Sequence, residues 1–447
     1  MASRRFFDRL RRRLLRGAPG RPALDLAPGL PERDATRVRA VISELLGLHD
    51  TMTQRVEAAA VADAYIALSD DGRRNFLLVL ARDFWTDPSA VDDAAAALTS
   101  GDGDRRAAER RLRESLVPPA DRLLTLLSGL EGGVKFLVDM RADVLRIASQ
   151  EPELADLDRE LKAHITTLFD VGLLALRRIT WSAPAVLLEK LIEYEAVHAI
   201  GSWDDLKNRL DSDRRCFAFF HPAMPDEPLV FVEIALTAGM PTRLAPLLDA
   251  RAPELDLDRA DTAVFYSISN CQPGLAGINL GTALIKQVVE ALRVDLPQLR
   301  RFVTLSPIPG FRSWLEDELA DGAPTLGGHE RELLPAEPDR VLARLADVEW
   351  DVDEAIRPVL MALCARYLTA ARDGRVSDPV ANFHLSNGAT IERIDWMADD
   401  SAVGRQRSVG LMTNYLYEPD RIPERAEAYA TKGEISMSSE VRDLIAQ

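Results

Sequence analysis

Nowhere do about 18 apolar residues run together without a charge, so no membrane-spanning helix is expected. Cysteine is scarce. Cys216, Cys271 and Cys364 stand far apart, with no CxxC pair and no Cys/His cluster. That spacing argues against structural zinc and a disulfide framework, and it fits a reducing compartment. A basic surplus is missing as well: 55 Lys and Arg face 71 Asp and Glu, for a net charge of −16. A general nucleic-acid binder needs a basic face, so no nucleic-acid partner is expected, whereas a local site for a small anion stays open. The P-loop ending GK[ST], the dinucleotide fingerprint GxGxxG and the hydrolase elbow GxSxG are all absent. Carboxylate runs such as Asp399-Asp400 have no histidine at metal-ligand spacing, so no metal site is expected.

What the chain does contain is ordinary globular material, 47% apolar and 28% charged, in a length of 447 residues that suits two or three domains. Residues 1–23 form a basic tail and linker that opens "MASRRFFDRLRRRLLRG". Such a start reads as a solvated terminus on a cytoplasmic protein, or as a transit segment that directs it to mitochondria. Asp8 and the shortage of serine weigh against the second. Residues 24–175 read as a helical domain, with the helical pattern persisting to about Thr180. In "TRVRAVISELLGLHD" the side chains of Val38, Val41, Ile42, Leu45 and Leu46 fall on one face, and "DLDRELKAHITTLFDVGLLALRRI" repeats the habit. Residues 176–447 alternate strands and helices, the mark of a mixed α/β domain. "RCFAFFHPAMPDEPLVFVEIALT" gives two strands around a proline turn, "TAVFYSISN" a third and "LRRFVTLS" a fourth. "TALIKQVVEALRVD" is a helix with Leu284, Ile285, Val288, Val289 and Leu292 on one face, and "PDRVLARLADVEWDVDEAIRPVLMALCARYLTAA" is also helical. "VANFHLSNGATIERIDWMAD" and "SVGLMTNYLYE" read as strands.

Two places carry chemistry. The loop "QPGLAGINLGTALIK" lies between a strand and a helix. Its glycines let backbone N–H groups approach a phosphate, and the helix N-terminus adds a positive dipole end. The same turn is common as plain structure. "TLSPIPGF" sets Ser306 directly before Pro307, on stiff extended backbone at the end of a strand. A strand-terminating turn accounts for Ser306 equally well. Among the histidines, His49, His164 and His198 lie in helical, largely apolar surroundings and read as structural, and His329 reads as a surface-loop residue. His221 either lines a site or shapes a turn before Pro222. His384, in a short strand that ends at Ser386-Asn387-Gly388, reads either as a structural residue or as one placed to reach a cleft with a pKa near neutral. These residues alone give an α/β domain with a candidate phosphate-binding turn, and no reaction.

Longer stretches do more. "RITWSAPAVLLEKLIEYEAVHAI", "DRRCFAFFHPAMPDEPLVFVEIALT", "FYSISNCQPGLAGINLGTALIKQVV", "FVTLSPIPGFRSWL", "DPVANFHLSNGATIERIDWMAD" and "GLMTNYLYE" together resemble the malonyl-CoA decarboxylase family. The resemblance implies an α-helical N-terminal domain for self-association into a dimer or tetramer. It also implies a mixed α/β C-terminal domain of the GCN5-related acetyltransferase type. On that fold Ala276, Gly277, Ile278, Asn279, Leu280, Gly281 and Thr282 would bind CoA, and Ser306 and His384 would be catalytic. The implied reaction converts malonyl-CoA to acetyl-CoA and CO2 through a thioester enolate protonated with the help of Ser306 and His384. It needs no cofactor, because the thioester itself holds the carbanion's charge. Relatives can carry an acid where this chain has Asn279, whose amide can support a neighbour by hydrogen bonding but cannot act as a base. The alternatives are a CoA-dependent acyltransferase and a non-catalytic acyl-CoA-binding protein on the same fold.

Overall fold

The computed structural model describes residues 24–100, 104–278, 280–320 and 356–446. The basic tail, Asn279, His329 and the first part of the long helical stretch, residues 338–355, lie outside the described residues. Contacts divide the chain into two units. The first holds the described residues up to Ala175, together with Phe220–Leu229 and the loop that begins at Cys271. The second holds Leu176–Phe219, Val230–Asn270 and the described residues from Leu280 onward.

In the first unit the described residues form eight α-helices: α1 (Glu32–Gly47), α2 (Thr51–Ala67), α3 (Asp70–Asp83), α4 (Pro88–Ser100), α5 (Arg105–Ser115), α6 (Pro119–Ser128), α7 (Gly133–Ile147) and α8 (Ala155–Leu168). The face read from the sequence of α1 is the buried one, with Val38, Ile42 and Leu45 inside. Asp50 starts α2 by accepting the Thr53 N–H at 2.7 Å, and Ser69 starts α3 by accepting the Gly72 N–H at 3.2 Å. In the core the Tyr65 ring meets Phe76 and Phe136 edge-on, at 5.1 and 5.6 Å. Its hydroxyl donates to Asp143 at 2.9 Å, so the buried phenol is satisfied.

The helical pattern ends sooner than the sequence suggests. α8 stops at Leu168, Asp170 accepts the Gly172 N–H at 2.8 Å in a short turn, and Ala175–Ile179 is a strand, β1. β1 is an edge strand that buries only Ile179, so it has no apolar alternation to betray it.

The remaining strands are β2 (Arg214–His221), β3 (Met224–Thr237), β4 (Thr262–Asn270), β5 (Arg301–Thr304), β6 (Ser306–Pro307), β7 (Ala371–Arg372), β8 (Arg375–Val376), β9 (Thr390–Asp395) and β10 (Met412–Tyr417). β7 and β8 pair with each other. The other eight form one sheet in the order β1-β2-β3-β4-β5-β10-β6, with β9 also on β10. Most of its pairings are antiparallel, but β4 and β5 run parallel from Thr262/Arg301 to Phe265/Thr304. β4 then continues to Asn270 beside β3 alone. Helices in this half are α9 (Ala185–Tyr194), α10 (Trp203–Arg209), α11 (Ala245–Leu248), α12 (Gly281–Asp295), α13 (Phe311–Ala320), α14 (Ile356–Thr369), α15 (Pro379–Ser386), α16 (Ala402–Ser408), α17 (Ile422–Lys432) and α18 (Ser439–Ala446). α12 connects the parallel pair and buries Leu284, Ile285, Val288, Val289 and Leu292, the face read from its spacing. A core cluster of Ala235, Val264, Tyr266, Val303, Leu305 and Met412 is closed by Leu244 and Leu247.

One element differs in kind. "VANFHLSNGA" reads as a strand, but Pro379–Ser386 is helical. Asp378 explains it: its carboxylate accepts the N–H groups of Val380 and Ala381 at 3.0 and 2.8 Å, and Pro379 sits in the first turn.

Candidate active site

β10 runs antiparallel to β5 and β6 in a single register. Phe302 faces Tyr417, Val303 faces Leu416, Ser306 faces Thr413 and Pro307 faces Met412. Between these pairs the ladder opens and side chains take over. Asn414 Nδ2 donates to Thr304 O at 2.8 Å, and the Tyr415 N–H donates to Thr304 Oγ1 at 3.2 Å. Ser306 is therefore the first residue of β6, beyond the break, rather than the end of the preceding strand. Pro307, which cannot donate to a ladder, is tolerated because β6 lies at the end of the sheet path. Alternation along the strands puts Thr304 and Ser306 on the same face of the sheet as Tyr415 and Tyr417 of β10.

α15 brings His384 to that face. Its Nε2 lies 3.0 Å from Ser306 Oγ, and its Nδ1 lies 2.8 Å from Tyr417 Oη. Ser306 Oγ donates to Thr304 Oγ1 at 2.9 Å. With the hydroxyl proton committed there, the lone pairs of Ser306 face Nε2. Nε2 then carries the ring proton, and Nδ1 accepts from Tyr417. The imidazole stacks on Tyr415, with centroids 4.3 Å apart at 23°, and meets Phe383 edge-on at 5.1 Å. Ser306, His384 and Tyr417 are 6%, 3% and 1% exposed. Burial holds the His384 pKa down at about 3, so the ring is neutral at physiological pH, contrary to the near-neutral titration the sequence suggests. Burial pushes the Tyr417 phenol up.

The same carboxylate supports both catalytic candidates. Asp378 caps the histidine's helix and accepts from Tyr367 Oη at 3.0 Å. Gly310, in the turn after Ser306, packs so closely on that phenol that any Cβ would collide with it.

The glycine loop is divided between the units. In the first, Arg141 of α7 donates to Gly274 O at 2.7 Å and to Ala276 O at 2.8 Å, while Asp158 holds its Nε at 2.9 Å. Gly277 has φ +74°, which disfavours any side chain, and Ile278 closes a turn on Leu275 O at 3.0 Å. In the second unit Leu280 precedes α12, and Gly281 and Thr282 begin it. A Cβ on Gly281 would lie 2.8 Å from the ring of Phe383, the residue before His384. The structure thus joins Ser306 to His384 and sets Gly281 against the histidine's helix, while Ala276, Gly277 and Ile278 group with Arg141.

Sequence reasoning missed Thr304, Tyr417, Asp378 and Arg141. The period-two spacing of Tyr415 and Tyr417 is a signal for Tyr417, once Ser306 is placed on the same sheet face. His221 takes the turn role, its Nδ1 accepting the Ala223 N–H at 3.1 Å. His49 is exposed between α1 and α2 rather than set in apolar surroundings.

A family model described as the malonyl-CoA decarboxylase C-terminal domain matches residues 172–447, and one described as the N-terminal domain of the same enzyme matches residues 84–169. The chain belongs to the malonyl-CoA decarboxylase family. The mitochondrial malonyl-CoA decarboxylase of Anser anser anser is 35% identical over 98% of this chain and 94% of its own length. That of Rattus norvegicus is 37% identical over 88% of this chain and 85% of its own. The crystal structure of malonyl-CoA decarboxylase from Rhodopseudomonas palustris matches with a TM-score of 0.84 at 39% identity, covering 92% of this chain and 99% of that one.

Proposed function

We propose that this member of the family decarboxylates malonyl-CoA to acetyl-CoA and CO2, with Ser306 giving the proton that the enolate carbon takes up. The observation that carries these roles is the buried contact between Ser306 Oγ and His384 Nε2, backed by Tyr417. The bond between the carboxylate carbon and Cα breaks, and its electron pair passes into the thioester as an enolate. The first N–H groups of α12, at Gly281 and Thr282, have no partner within the helix and serve as donors to the enolate oxygen. The enolate then collapses, Cα takes the Ser306 hydroxyl proton, His384 Nε2–H restores it as Tyr417 passes its phenol proton to Nδ1, and the phenol is reprotonated in turn. Solvent supplies the proton consumed per turnover. The burial that keeps His384 uncharged also disfavours a carboxylate relative to neutral CO2.

Incubating purified protein with malonyl-CoA, without metal or acyl acceptor, should give acetyl-CoA. In D2O the new methyl group should carry one deuterium. Ser306→Ala and His384→Asn should each lower kcat by about two orders of magnitude or more, with CoA affinity nearly intact. Wild-type turnover in either variant removes that residue from the chemistry. Self-association of residues 24–175 into a dimer or tetramer belongs to the same reading, and a monomer in light scattering would overturn it.

A further inference from the structure

We infer that Asn414 and Arg393 are positioning residues for the reaction, acting on Ser306 through Thr304. The inference rests on the role proposed above for Ser306 and adds a strand, β9, to the machinery. All of its residues belong to the second unit. The β10 ladder is open between the Val303/Leu416 and Ser306/Thr413 pairs. The Leu305 N–H turns the other way, to Phe265 O of β4 at 3.1 Å. Backbone that has left its ladder beside a proton-delivering residue needs another hold, because misplacement by about 1 Å can cost two orders of magnitude in rate.

Asn414, fully buried, supplies that hold. Its Nδ2 donates to Thr304 O at 2.8 Å, and its Oδ1 accepts from Arg393 Nη2 at 2.8 Å, across the β9–β10 ladder. A guanidinium has donors only, so the amide oxygen must face Arg393 and the amide NH2 must face Thr304. Arg393 is fixed in turn. Its Nε donates to Asp395 Oδ1 at 2.7 Å and its Nη2 to Pro241 O at 2.9 Å, and the Asp395 side chain is buried. Held in this way, Thr304 Oγ1 accepts the Ser306 hydroxyl at 2.9 Å and the Tyr415 N–H at 3.2 Å. The chain of bonds thus runs from a charged pair on β9 to the hydroxyl whose proton Cα takes up. Such a network, with each member's direction set by its neighbour, fixes geometry that an apolar filling of the same space would leave loose.

The test measures kcat and KM for malonyl-CoA in Asn414→Leu, Arg393→Lys and Thr304→Val, each made in the wild-type protein and in Ser306→Ala. In the wild-type background each should lower kcat about tenfold or more with little change in KM. Arg393→Lys keeps a positive charge beside Asp395 but loses the fork that also holds Asn414, so it reads the same link should Asn414→Leu fail to fold. Thr304→Ser keeps the accepting hydroxyl and should recover most of what Thr304→Val loses. In the Ser306→Ala background the same substitutions should cost nothing further, because the group they position is gone. Equal losses in both backgrounds, the mark of a merely structural role, or no loss in the wild-type background, overturn the inference while the proposed activity stands. A Ser306→Ala protein with wild-type turnover removes the inference together with the role of Ser306.

Discussion

His384 has a tyrosine where a hydrolytic triad has a carboxylate. In the triad the acid holds Nδ1–H, so Nε2 is free to pull a proton from serine. With the Ser306 hydroxyl donating to Thr304, the fitting tautomer has Tyr417 donating to Nδ1 and the ring proton toward Ser306, which suits a serine that gives a proton away. Tyr417→Phe releases the tautomer and should lower kcat about tenfold or more, with little change in KM. The depressed pKa has a direct readout. His384 ring signals should not titrate in NMR between about pH 8 and 5, and a midpoint near 6.5 would refute the neutral relay. The stability consequence has a definite sign. The unfolded chain protonates this residue at about 6.5 and the folded chain only near 3, so its contribution is full above 6.5 and fades as pH falls toward 3. Acidification from about pH 7.5 to 5 should therefore lower the Tm of wild type more than that of His384→Asn. From the sequence, Ser306 and His384 could be coupled only through family resemblance, because 78 residues separate them. The titration was misjudged because Tyr415 and Phe383, which dry the ring, are not read from its own surroundings as burying it.

At the scale of elements, α15 shows where local pattern fails. Eight residues are too short a window to separate a helical period from a strand, and Val380 and Phe383 favour the strand reading. The decisive signal is Asp378-Pro379, a cap followed by a residue suited to the first turn. Asp378→Ala should cost about 1–3 kcal/mol, since it uncaps α15 and leaves the Tyr367 hydroxyl without its acceptor. Asp378→Asn, which keeps a capping oxygen, should cost less, and urea denaturation distinguishes the two. Gly281→Val drives a side chain into Phe383 and should lower kcat by displacing the histidine's helix, without unfolding the protein. The long amphipathic helices, by contrast, were legible: α1 and α12 bury the faces that their spacing defines. The β2–β3 hairpin was legible from its two β-rich runs and proline turn.

Over the whole molecule, the change from helical to mixed composition is visible in the sequence, but the contacts that reach across it are not. Nor are contacts within the mixed half, such as the buried pair Arg209–Glu233 at 2.7 Å, where burial pushes the Glu233 carboxyl up to about 8. Removing the arginine, as in Arg209→Met, should cost about 3–5 kcal/mol by stranding Glu233, and adding Glu233→Leu should recover much of it, whereas in Glu233→Ala the arginine would keep Asp205. The hold of Arg141 on two carbonyls of the glycine loop has a practical consequence for anyone dissecting the enzyme. The helical half is no detachable handle. A fragment cut at residue 175 would keep its serine and histidine but lose Arg141, the mooring of its glycine loop, so shuffling the sheet domain onto a new partner would leave that loop adrift.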